Sequence, residues 1–593
     1  MDVAPIAPKT TEGTLADLPR RNADNSPGEG AFSKKSPAGH WTHVTWAEFA
    51  DDVTAVAKGL IAAGIKPGER VGLMSRTRYE WTLVDFAAWT AGAVVVPIYE
   101  TSSPEQVEWI LLDSGTRHVV VEAPRHREIV EDVRDRLPGF EEIIEIDGGG
   151  LEALKARGAD VSDAALLEAR AGLDRTTVAT IIYTSGTTGR PKGVQLTHGN
   201  FLDLAENAIA KLGDEVLTPG ASTLLFLPLA HVFARFIEVL CVAAPVRIGH
   251  APDIKSILDD FGSFQPTFVL AVPRVFEKIF NSAEAKAAAG GKDKIFLRAA
   301  TVAIAYSESL DERGPGIGLR LQHAIFDRLV YGKLRAAMGG RVRYAISGGA
   351  PLGTRLGHFF RGIGVNILEG YGLTETTAPL SVNIPAKVKI GTVGPPLPGT
   401  AVRIANDGEI LVKGVGVFSS YHQNDQATSE VIRDGWFHTG DLGDLDEDGY
   451  LRITGRKKEI IVTAGGKNVA PAVLEDRLRS HPLVSQCIVV GDQKPFIGAL
   501  VTLDAEMWPL WAPAHGLDNV SIEEARTHPK VLEVLQQAVD RANEAVSKAE
   551  GIRKFAVLPG DFTEANGYLT PSLKMKRNIV LKDYDQDVES LYS

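Results

Sequence analysis

The sequence predicts an α/β protein with a large N-terminal domain, which contains mixed sheets flanked by helices and a β subdomain, and a small α+β C-terminal domain. Short apolar runs alternate with amphipathic helical patterns from about residue 45 to residue 400, which is typical of an α/β domain. Short strand patterns that follow glycine turns dominate residues 408–456. Beyond them, apolar runs and one long amphipathic pattern fill roughly 130 residues, an ordinary domain size.

Individual elements follow from the spacing of the apolar residues. In the first part, the candidate buried strands are residues 93–98, 118–121, 223–227, 267–272, 342–346 and 365–368. Residues 284–340 are rich in Ala, Lys, Arg and Leu and predict helices that break at Gly314-Pro-Gly316. The β subdomain has candidate strands at residues 409–413 and 450–454, and the C-terminal part at residues 460–462, 488–490 and 499–503. Apolar residues from Val531 to Val546 lie on one helical face.

The charged segment Gly455-Arg-Lys-Lys-Glu459 separates the two parts. We therefore place the domains at residues 1–455 and 456–593. Residues 1–40 combine Pro, Gly, Ser and charged residues without an apolar pattern, so we expect them to be loose.

Composition restricts the kinds of partner. Of the 593 residues, 44% are hydrophobic and 23% are charged, as in soluble globular proteins, and the net charge of −12 argues against broad binding of nucleic acid. Cys241 and Cys487 fit no metal spacing and indicate a reducing compartment. Neither a signal-peptide pattern nor eighteen successive apolar residues occur, so we expect a cytoplasmic protein and leave peripheral membrane contact and homo-oligomerisation open.

The segment from Tyr183 to Gly193, with the sequence YTSGTTGRPKG, predicts a phosphate-binding loop. It follows the apolar residues 178–182, which predict a buried strand. Glycines allow the backbone N–H groups to approach a phosphate, hydroxyl groups add donors, and Lys192 adds a positive charge. The spacing differs from the Walker A motif. The alternative is a flexible Gly/Thr hairpin.

Two further motifs are suited to a nucleotide. In Glu369-Gly-Tyr-Gly-Leu-Thr-Glu375, an aromatic ring between glycines can stack on a base, and a carboxylate can hold Mg²⁺. His438-Thr-Gly-Asp441 places a carboxylate where it can accept hydrogen bonds from a ribose. Taken alone, each motif is also compatible with a surface turn.

Asp444, Asp446, Asp448 and Gly449 resemble the first half of a twelve-residue EF-hand loop that begins at Asp444. Gly455 stands where that loop needs a bidentate Glu, so we predict a hairpin turn without calcium.

Two other segments have no assigned chemistry from their residues alone. His231 follows a strand pattern in apolar surroundings, where a core histidine is the usual interpretation and a place in an acyl pocket is the alternative. The basic cluster from Leu569 to Arg577 is most simply a solvated tail.

Together and in this order, these motifs resemble the AMP-forming acyl-adenylate synthetase superfamily, from about Trp46 to the C-terminus. Three segments look like the long-chain fatty acyl-CoA synthetases: LPLAHVFAR from Leu227, VPRVFEK from Val272 and GRKKEIIVTAGGKN from Gly455. The sequence departs from these enzymes at Ala234, where they often carry Glu. Arg235 stands where some relatives place a bulky aromatic gate.

The resemblance implies an enzyme that uses ATP, Mg²⁺, a fatty acid and coenzyme A. It implies catalytic roles for Lys574, Lys192, Glu375 and Thr184, with Mg²⁺ at Glu375 and Thr184. It places His231 and Arg235 in the substrate pocket. It assigns nucleotide or coenzyme A binding to a larger set, which comprises Ser185, Gly186, Thr187, Thr188, Gly189, Gly349, Ala350, Glu369, Gly370, Tyr371, Gly372, Thr374, Asp441, Arg456, Gly465 and Gly466.

The resemblance also implies that the C-terminal domain is mobile. Lys458 matches the hinge of the superfamily, and a swing there withdraws Lys574 and opens a pantetheine path past Gly465 and Gly466. The alternatives are an acyl-AMP ligase that does not use coenzyme A, an adenylation module that loads a carrier protein, and a non-catalytic lipid-binding protein. For the basic, amphipathic stretch from Arg313 to Arg341, a packed surface helix competes with contact to lipid.

Overall fold

The computed structural model describes residues 1–8, 10–36, 38–184, 190–253, 256–570 and 574–593. Its strands in chain order are β1 (Asp2–Val3), β2 (Gly30–Lys35), β3 (Trp41–Thr45), β4 (Arg70–Met74), β5 (Val94–Ile98), β6 (His118–Val121), β7 (Glu142–Glu145), β8 (Val178–Thr184), β9 (Lys192–Thr197), β10 (Ser222–Leu225), β11 (Arg247–His250), β12 (Phe268–Ala271), β13 (Tyr344–Ser347), β14 (Asn366–Leu373), β15 (Ala378–Val382), β16 (Thr400–Ile404), β17 (Glu409–Gly414), β18 (Ser420–Tyr421), β19 (Ile432–Arg433), β20 (Trp436–Leu445), β21 (Leu451–Arg456), β22 (Ile461–Val462), β23 (Asn468–Val469), β24 (Val484–Val490), β25 (Ile497–Leu503) and β26 (Ile552–Val557).

The α-helices in chain order are α1 (Leu18–Asn25), α2 (Trp46–Ala62), α3 (Tyr79–Thr90), α4 (Pro104–Ser114), α5 (Pro124–Val133), α6 (Gly150–Arg157), α7 (Asp163–Arg170), α8 (His198–Leu212), α9 (Val232–Ala243), α10 (Ile257–Phe264), α11 (Pro273–Ala289), α12 (Asp293–Leu310), α13 (Ile317–Phe326), α14 (Gly332–Ala337), α15 (Thr354–Gly362), α16 (Asp425–Val431), α17 (Pro471–Arg479), α18 (Trp508–Ala514), α19 (Ile522–Ala525), α20 (Pro529–Asn543), α21 (Arg577–Asp583) and α22 (Asp585–Ser590). A π-helical turn, Asp327–Tyr331, joins α13 to α14, and 3₁₀ turns lie at Thr374–Thr376 and Lys457–Glu459.

The largest sheet has seven strands in the order β18-β9-β8-β5-β4-β6-β7. The strands from β8 to β7 are parallel, whereas β9 pairs antiparallel with β8 and with β18, so the sheet is mixed as predicted. In the β8–β9 register Thr184 is opposite Lys192. The two ends of the predicted phosphate loop are therefore held side by side.

A second sheet, β12-β13-β14-β15, places the 369–375 motif next to the turn that contains Gly349 and Ala350. The first three strands are parallel, and Ser347 at the end of β13 is opposite Glu369 in β14. Because parallel strands end at the same edge, the Ser347–Pro351 turn lies beside the 369–375 motif. We predicted that β14 ends at residue 368, but it continues to Leu373 because Gly370 to Leu373 pair antiparallel with β15.

The β subdomain is an antiparallel sheet in the order β1-β16-β17-β20-β19, with β21 paired to β20. Asp441 is opposite Arg456 in the β20–β21 register. The hairpin turn predicted between these strands is present, with Asp446 and Tyr450 joined by a backbone hydrogen bond of 3.0 Å. The described residues contain no cluster of three or more His, Cys, Asp or Glu suited to a metal ion.

The N-terminal segment is folded, contrary to our expectation that residues 1–40 are loose. β1 pairs with β16, and β2 and β3 extend a sheet in the order β10-β11-β2-β3. Leu15 and Phe32 are completely buried. The expectation was wrong because these apolar residues are few and scattered and show no periodic pattern, and part of their packing comes from distant residues such as His250, which stacks on Phe32.

The C-terminal segment has its own sheet, β24-β25-β26, which α17 and α20 cover with apolar side chains. The large N-terminal core extends to Leu451, and the core beneath α17 and α20 begins at Ile461. We propose that the domain boundary lies between residues 455 and 456, within the polar stretch that separates these cores.

Candidate functional site

Lys574 lies beside charged groups that come from the large N-terminal part of the chain. Its pKa is lowered, first because surrounding protein atoms desolvate the ammonium and then because Arg456 repels it, while Asp441 and Glu375 act in the opposite direction. Backbone contacts hold Lys574 in place. The N–H of Thr570 donates to the Lys574 carbonyl at 2.8 Å, and Leu569 forms an isolated antiparallel β-bridge with Met575. The tail is therefore packed and not merely solvated.

Tyr371, Asp441 and Arg456 form one connected group. The hydroxyl of Tyr371 donates to Asp441 Oδ2 at 2.6 Å, and Arg456 Nε lies 3.0 Å from Asp441 Oδ1. Burial of Tyr371 and the adjacent Asp441 carboxylate raise the pKa of this phenol strongly, so it stays a hydrogen-bond donor. Each carboxylate oxygen of Asp441 keeps a further lone pair for a ligand.

Glu375, Lys192 and Thr184 lie around Tyr421. The Tyr421 hydroxyl donates to Glu375 Oε1 at 2.8 Å, and Lys192 Nζ lies 5.2 Å from the centre of the same ring. Thr184 is opposite Lys192 in the strand register. Phosphate-loop residues Ser185, Gly186, Thr187, Thr188 and Gly189 lie outside the described residues.

The turn after β13 is shaped by glycine and by Glu369. Gly349 has φ +83°, a left-handed conformation that favours glycine, and both Gly349 and Ala350 are exposed. The buried Glu369 carboxyl accepts a hydrogen bond of 2.9 Å from the Leu352 N–H, and burial raises its pKa to about 8. Glu369 therefore helps to fix the turn.

Glycines also bring the strand β14 close to its neighbour. A Cβ atom on Gly372 would lie 1.9 Å from the Ala378 carbonyl oxygen, and one on Gly370 would lie 3.1 Å from the Ser381 carbonyl oxygen. Thr374 begins the 3₁₀ turn that positions Glu375.

His231 lies at the same site as Lys574. It is the N-cap of α9, where its Nδ1 accepts from the Phe233 N–H at 3.2 Å. Burial, with a contribution from the Lys574 charge, lowers the pKa of His231 to about 3, so the imidazole is neutral. Two residues on, the Phe233 ring lies against Gly348 of the turn after β13.

Arg235 does not line a pocket in this structure, which corrects the expectation from the sequence. Its guanidinium is fully buried and forms a bidentate ion pair with Asp85, with a further bond of 2.5 Å to Thr180. The rings of Trp81 and Trp89 lie within 5.4 and 5.2 Å of it. A guanidinium must be fully paired when it is removed from water, and this core supplies the partners.

Gly465 and Gly466 lie at the exposed tip of the β22–β23 hairpin. Next to them, the Ala464 N–H donates to the Lys494 carbonyl and Lys467 pairs with Glu550 at 2.9 Å. Lys458 is exposed in the 3₁₀ turn between β21 and β22. It lies between the two cores, where a hinge is expected.

The sequence analysis did not identify two aromatic residues that lie near the ends of the predicted phosphate loop. Tyr421 joins Glu375 to Lys192, and Trp109 donates to the Pro191 carbonyl at 2.9 Å while Arg190 lies over its ring at 4.6 Å. A lone aromatic residue far from the motif gives no signal in a single sequence. Only the pairing of β18 with β9 and the packing of α4 bring these rings to the loop.

Comparison with known proteins decides the family. A family model described as AMP-binding enzyme matches residues 19–422, which is more than half of the chain, and one described as AMP-binding enzyme C-terminal domain matches residues 458–593. The chain belongs to the AMP-binding enzyme family. Among members with curated names, it is 52% identical to the long-chain-fatty-acid–CoA ligase FadD15 of Mycobacterium tuberculosis, with 94% of this chain and 93% of that protein covered. It is 31% identical to human long-chain-fatty-acid–CoA ligase 6, with 98% and 87% covered.

Solved structures of AMP-binding enzymes share the fold. The anthranilate CoA ligase AuaEII in complex with anthranoyl-AMP matches with a TM-score of 0.74 at 20% identity, over 97% of this chain and 98% of that one. A Mycobacterium tuberculosis fatty acyl CoA synthetase matches with a TM-score of 0.62 at 23% identity, over 97% and 99%. The fold class predicted from the sequence is thereby confirmed.

Proposed function

We propose that this member of the family is an AMP-forming long-chain fatty acid–CoA ligase. The carboxylate of a fatty acid attacks the α-phosphorus of ATP, which forms acyl-AMP and releases pyrophosphate. The thiol of coenzyme A then attacks the acyl carbonyl, loses its proton and displaces AMP. The identity to named long-chain-fatty-acid–CoA ligases over nearly the whole chain supports this substrate class.

One observation carries the proposal: the Lys574 ammonium of the C-terminal part is within electrostatic range of Glu375, Asp441 and His231 of the N-terminal part. The first step brings two anions together, a carboxylate and a triphosphate, and it needs positive charge where they meet. Lys574 supplies that charge from the C-terminal side and Lys192 from the other.

The nucleoside is held by groups that are already oriented. We assign Tyr371 to stack on adenine beside Gly349, Ala350 and Gly370. We assign Asp441 and Arg456 to bind the ribose, because their mutual contact leaves a lone pair on each carboxylate oxygen and further N–H groups on the guanidinium.

The donors around the triphosphate fit Mg²⁺. This ion is commonly held by one or two carboxylates together with substrate phosphates and water, and Glu375 with the Thr184 hydroxyl offers such oxygen ligands. When bound, Mg²⁺ would offset the charge of the phosphates. Lys192 and Thr374 add contacts to phosphate from the protein itself.

The second step requires a different placement of the C-terminal domain. We propose that rotation near Lys458 withdraws Lys574 and brings Gly465 and Gly466 to the path of the pantetheine arm. The exposed position of both glycines fits the state that precedes this rotation.

The two half-reactions can be measured separately. Fatty-acid-dependent exchange of pyrophosphate into ATP reports adenylation, and mass spectrometry of the products with and without coenzyme A reports thioester formation. We expect exchange with long-chain acids and acyl-CoA only when coenzyme A is present. Pyrophosphate exchange without formation of acyl-CoA, when coenzyme A is supplied, would instead indicate an acyl-AMP ligase. The absence of exchange across a panel of acids would contradict both the CoA ligase and the acyl-AMP ligase.

A further inference from the structure

The helix α13 presents a row of large aliphatic side chains to solvent. Ile317, Leu321, Ile325 and Leu329 are 88%, 64%, 50% and 55% exposed. They are four residues apart and therefore lie along one side of the helix and its π-helical continuation. α13 has no buried residue, so the alternative of a packed surface helix does not account for this side. We call these four residues the α13 face.

Positive charge predominates in the segment that carries the α13 face. From Arg313 to Arg343 the sequence contains seven Lys or Arg and one acidic residue, Asp327, although the whole chain has a net charge of −12. Asp327 is already paired with Arg335 at 2.6 Å. The exposed basic side chains on this segment are Arg313, Arg320, Arg328, Lys333, Arg341 and Arg343.

The opposite side of the helix is anchored, which holds the α13 face outward. His323 stacks on Tyr306 at 3.8 Å and its Nε2 lies 2.6 Å from the Gly362 carbonyl oxygen. The Tyr331 hydroxyl donates to the Ala299 carbonyl at 2.8 Å. No unfolding or rotation of the helix is needed to present the aliphatic row.

We propose that the α13 face is a docking surface for an anionic lipid bilayer. The aliphatic side chains enter the boundary between headgroups and acyl chains, and the surrounding Lys and Arg contact lipid phosphates. The helix lies in the plane of the surface, since none of the described helices has the length and apolar character that crossing a bilayer requires. This inference goes beyond the proposed function and does not depend on it.

Charge distinguishes a bilayer from a second copy of the chain. A twofold dimer through this surface would place the same basic segment of each copy against the other, and like charges would face each other. An anionic bilayer instead pairs with the basic residues while it takes up the aliphatic row.

The test is co-sedimentation of the full chain with vesicles. We expect binding to mixed phosphatidylcholine–phosphatidylglycerol vesicles and much weaker binding to pure phosphatidylcholine. Leu321→Glu places a charge in the middle of the row and should lower binding by about ten-fold or more. Arg328→Gln with Lys333→Gln should lower binding to the anionic vesicles only. Leu167→Glu is the matched control, because Leu167 is 67% exposed on α7, and it should bind as the wild type does.

Several outcomes would overturn the proposal. These are equal binding of the wild type and Leu321→Glu, equal loss in Leu167→Glu, or a dimer in light scattering that Leu321→Glu dissociates while the vesicles stay unbound. Each variant should keep the wild-type thermal midpoint and wild-type adenylation of a water-soluble medium-chain acid without vesicles, because these side chains are exposed. A failure of the proposed function would appear in that adenylation assay of the wild type, and a failure of this inference only in the sedimentation.

Discussion

At the scale of single residues, Asp441 connects the parts of the site. Its two oxygens are engaged by Tyr371 and Arg456, and its charge acts on Lys574 from the C-terminal segment. Tyr371 and Arg456 lie on different strands, and the carboxylate orients both. Such a buried, multiply bonded acid holds its neighbours in place before a ligand arrives, which reduces the entropy that binding must overcome.

Glu369 gives a prediction about stability and pH. Its usual pKa of 4.5 is raised to about 8 by burial, so folding takes up a proton in this interval and stability falls as the pH rises from about 4.5 to about 8. Glu369→Gln keeps the acceptor for the Leu352 N–H and removes the titration. We expect the wild type to lose thermal stability relative to this variant across that interval, by up to about 1.4 kcal/mol per pH unit. A constant difference between the two proteins across the interval would contradict the assignment.

Variants of Arg235 test whether this residue belongs to the core or lines the acyl pocket. Arg235→Met leaves the Asp85 carboxylate buried without its ion-pair partner and should lower the free energy of unfolding by about 3–5 kcal/mol. The double variant Arg235→Met with Asp85→Leu should regain most of this lost stability. Thermal melts of the single and double variants check this. If Arg235→Met instead changes the preferred acyl chain length at unchanged stability, the residue lines the acyl pocket.

These residues show what a single sequence can reveal. Tyr371, Glu375 and Lys192 lie in short motifs whose glycines and spacing carry the signal, so they were found together with the strands that hold them. The partner of Arg235 is Asp85, 150 positions away, and no local pattern indicates that pair. Tyr421 and Trp109 were missed for the same reason. The N-terminal strands β1 and β2 pair with β16 and β11, which lie far along the chain, so the prediction of a loose N-terminus was wrong.

At the scale of elements, α11 holds the C-terminal segment against the rest of the molecule. Arg274 pairs with Asp504 at 2.6 Å, and Lys278 pairs with Glu506 at 2.8 Å, one helical turn further on. A third contact joins Thr101 to Glu564. Arg274 and Lys278 both belong to the VPRVFEK segment, so this motif contributes to the placement of the segment that carries Lys574.

Replacing these cations should weaken the arrangement that favours adenylation. Each partly exposed ion pair contributes about 0.2–1 kcal/mol, so Arg274→Gln with Lys278→Gln, which removes two pairs, should reduce fatty-acid-dependent pyrophosphate exchange by up to about thirty-fold. Thioester formation from supplied acyl-AMP should be unchanged or faster. Lys286→Gln, an exposed site on the same helix, is the matched control. Equal slowing of both half-reactions would show that the contacts are not specific to one arrangement.

At the scale of the whole molecule, two separate cores meet at one charged site. The connecting residues 454–460 belong to neither core, and the contacts between the two parts include two ion pairs and a hydrogen bond. Polar interfaces of this kind separate more readily than apolar ones. This arrangement is compatible with the rotation near Lys458 that we propose.

The most direct test of this account is the Lys574→Ala variant, measured in both half-reactions. Loss of the ammonium near Glu375, Asp441 and His231 should slow fatty-acid-dependent pyrophosphate exchange by about a hundred-fold or more. The variant lacks the positive charge that offsets the carboxylate and the triphosphate where they meet. Formation of acyl-CoA from supplied acyl-AMP and coenzyme A should continue near the wild-type rate. Equal loss of both steps, in a variant that folds as the wild type does, would contradict the account.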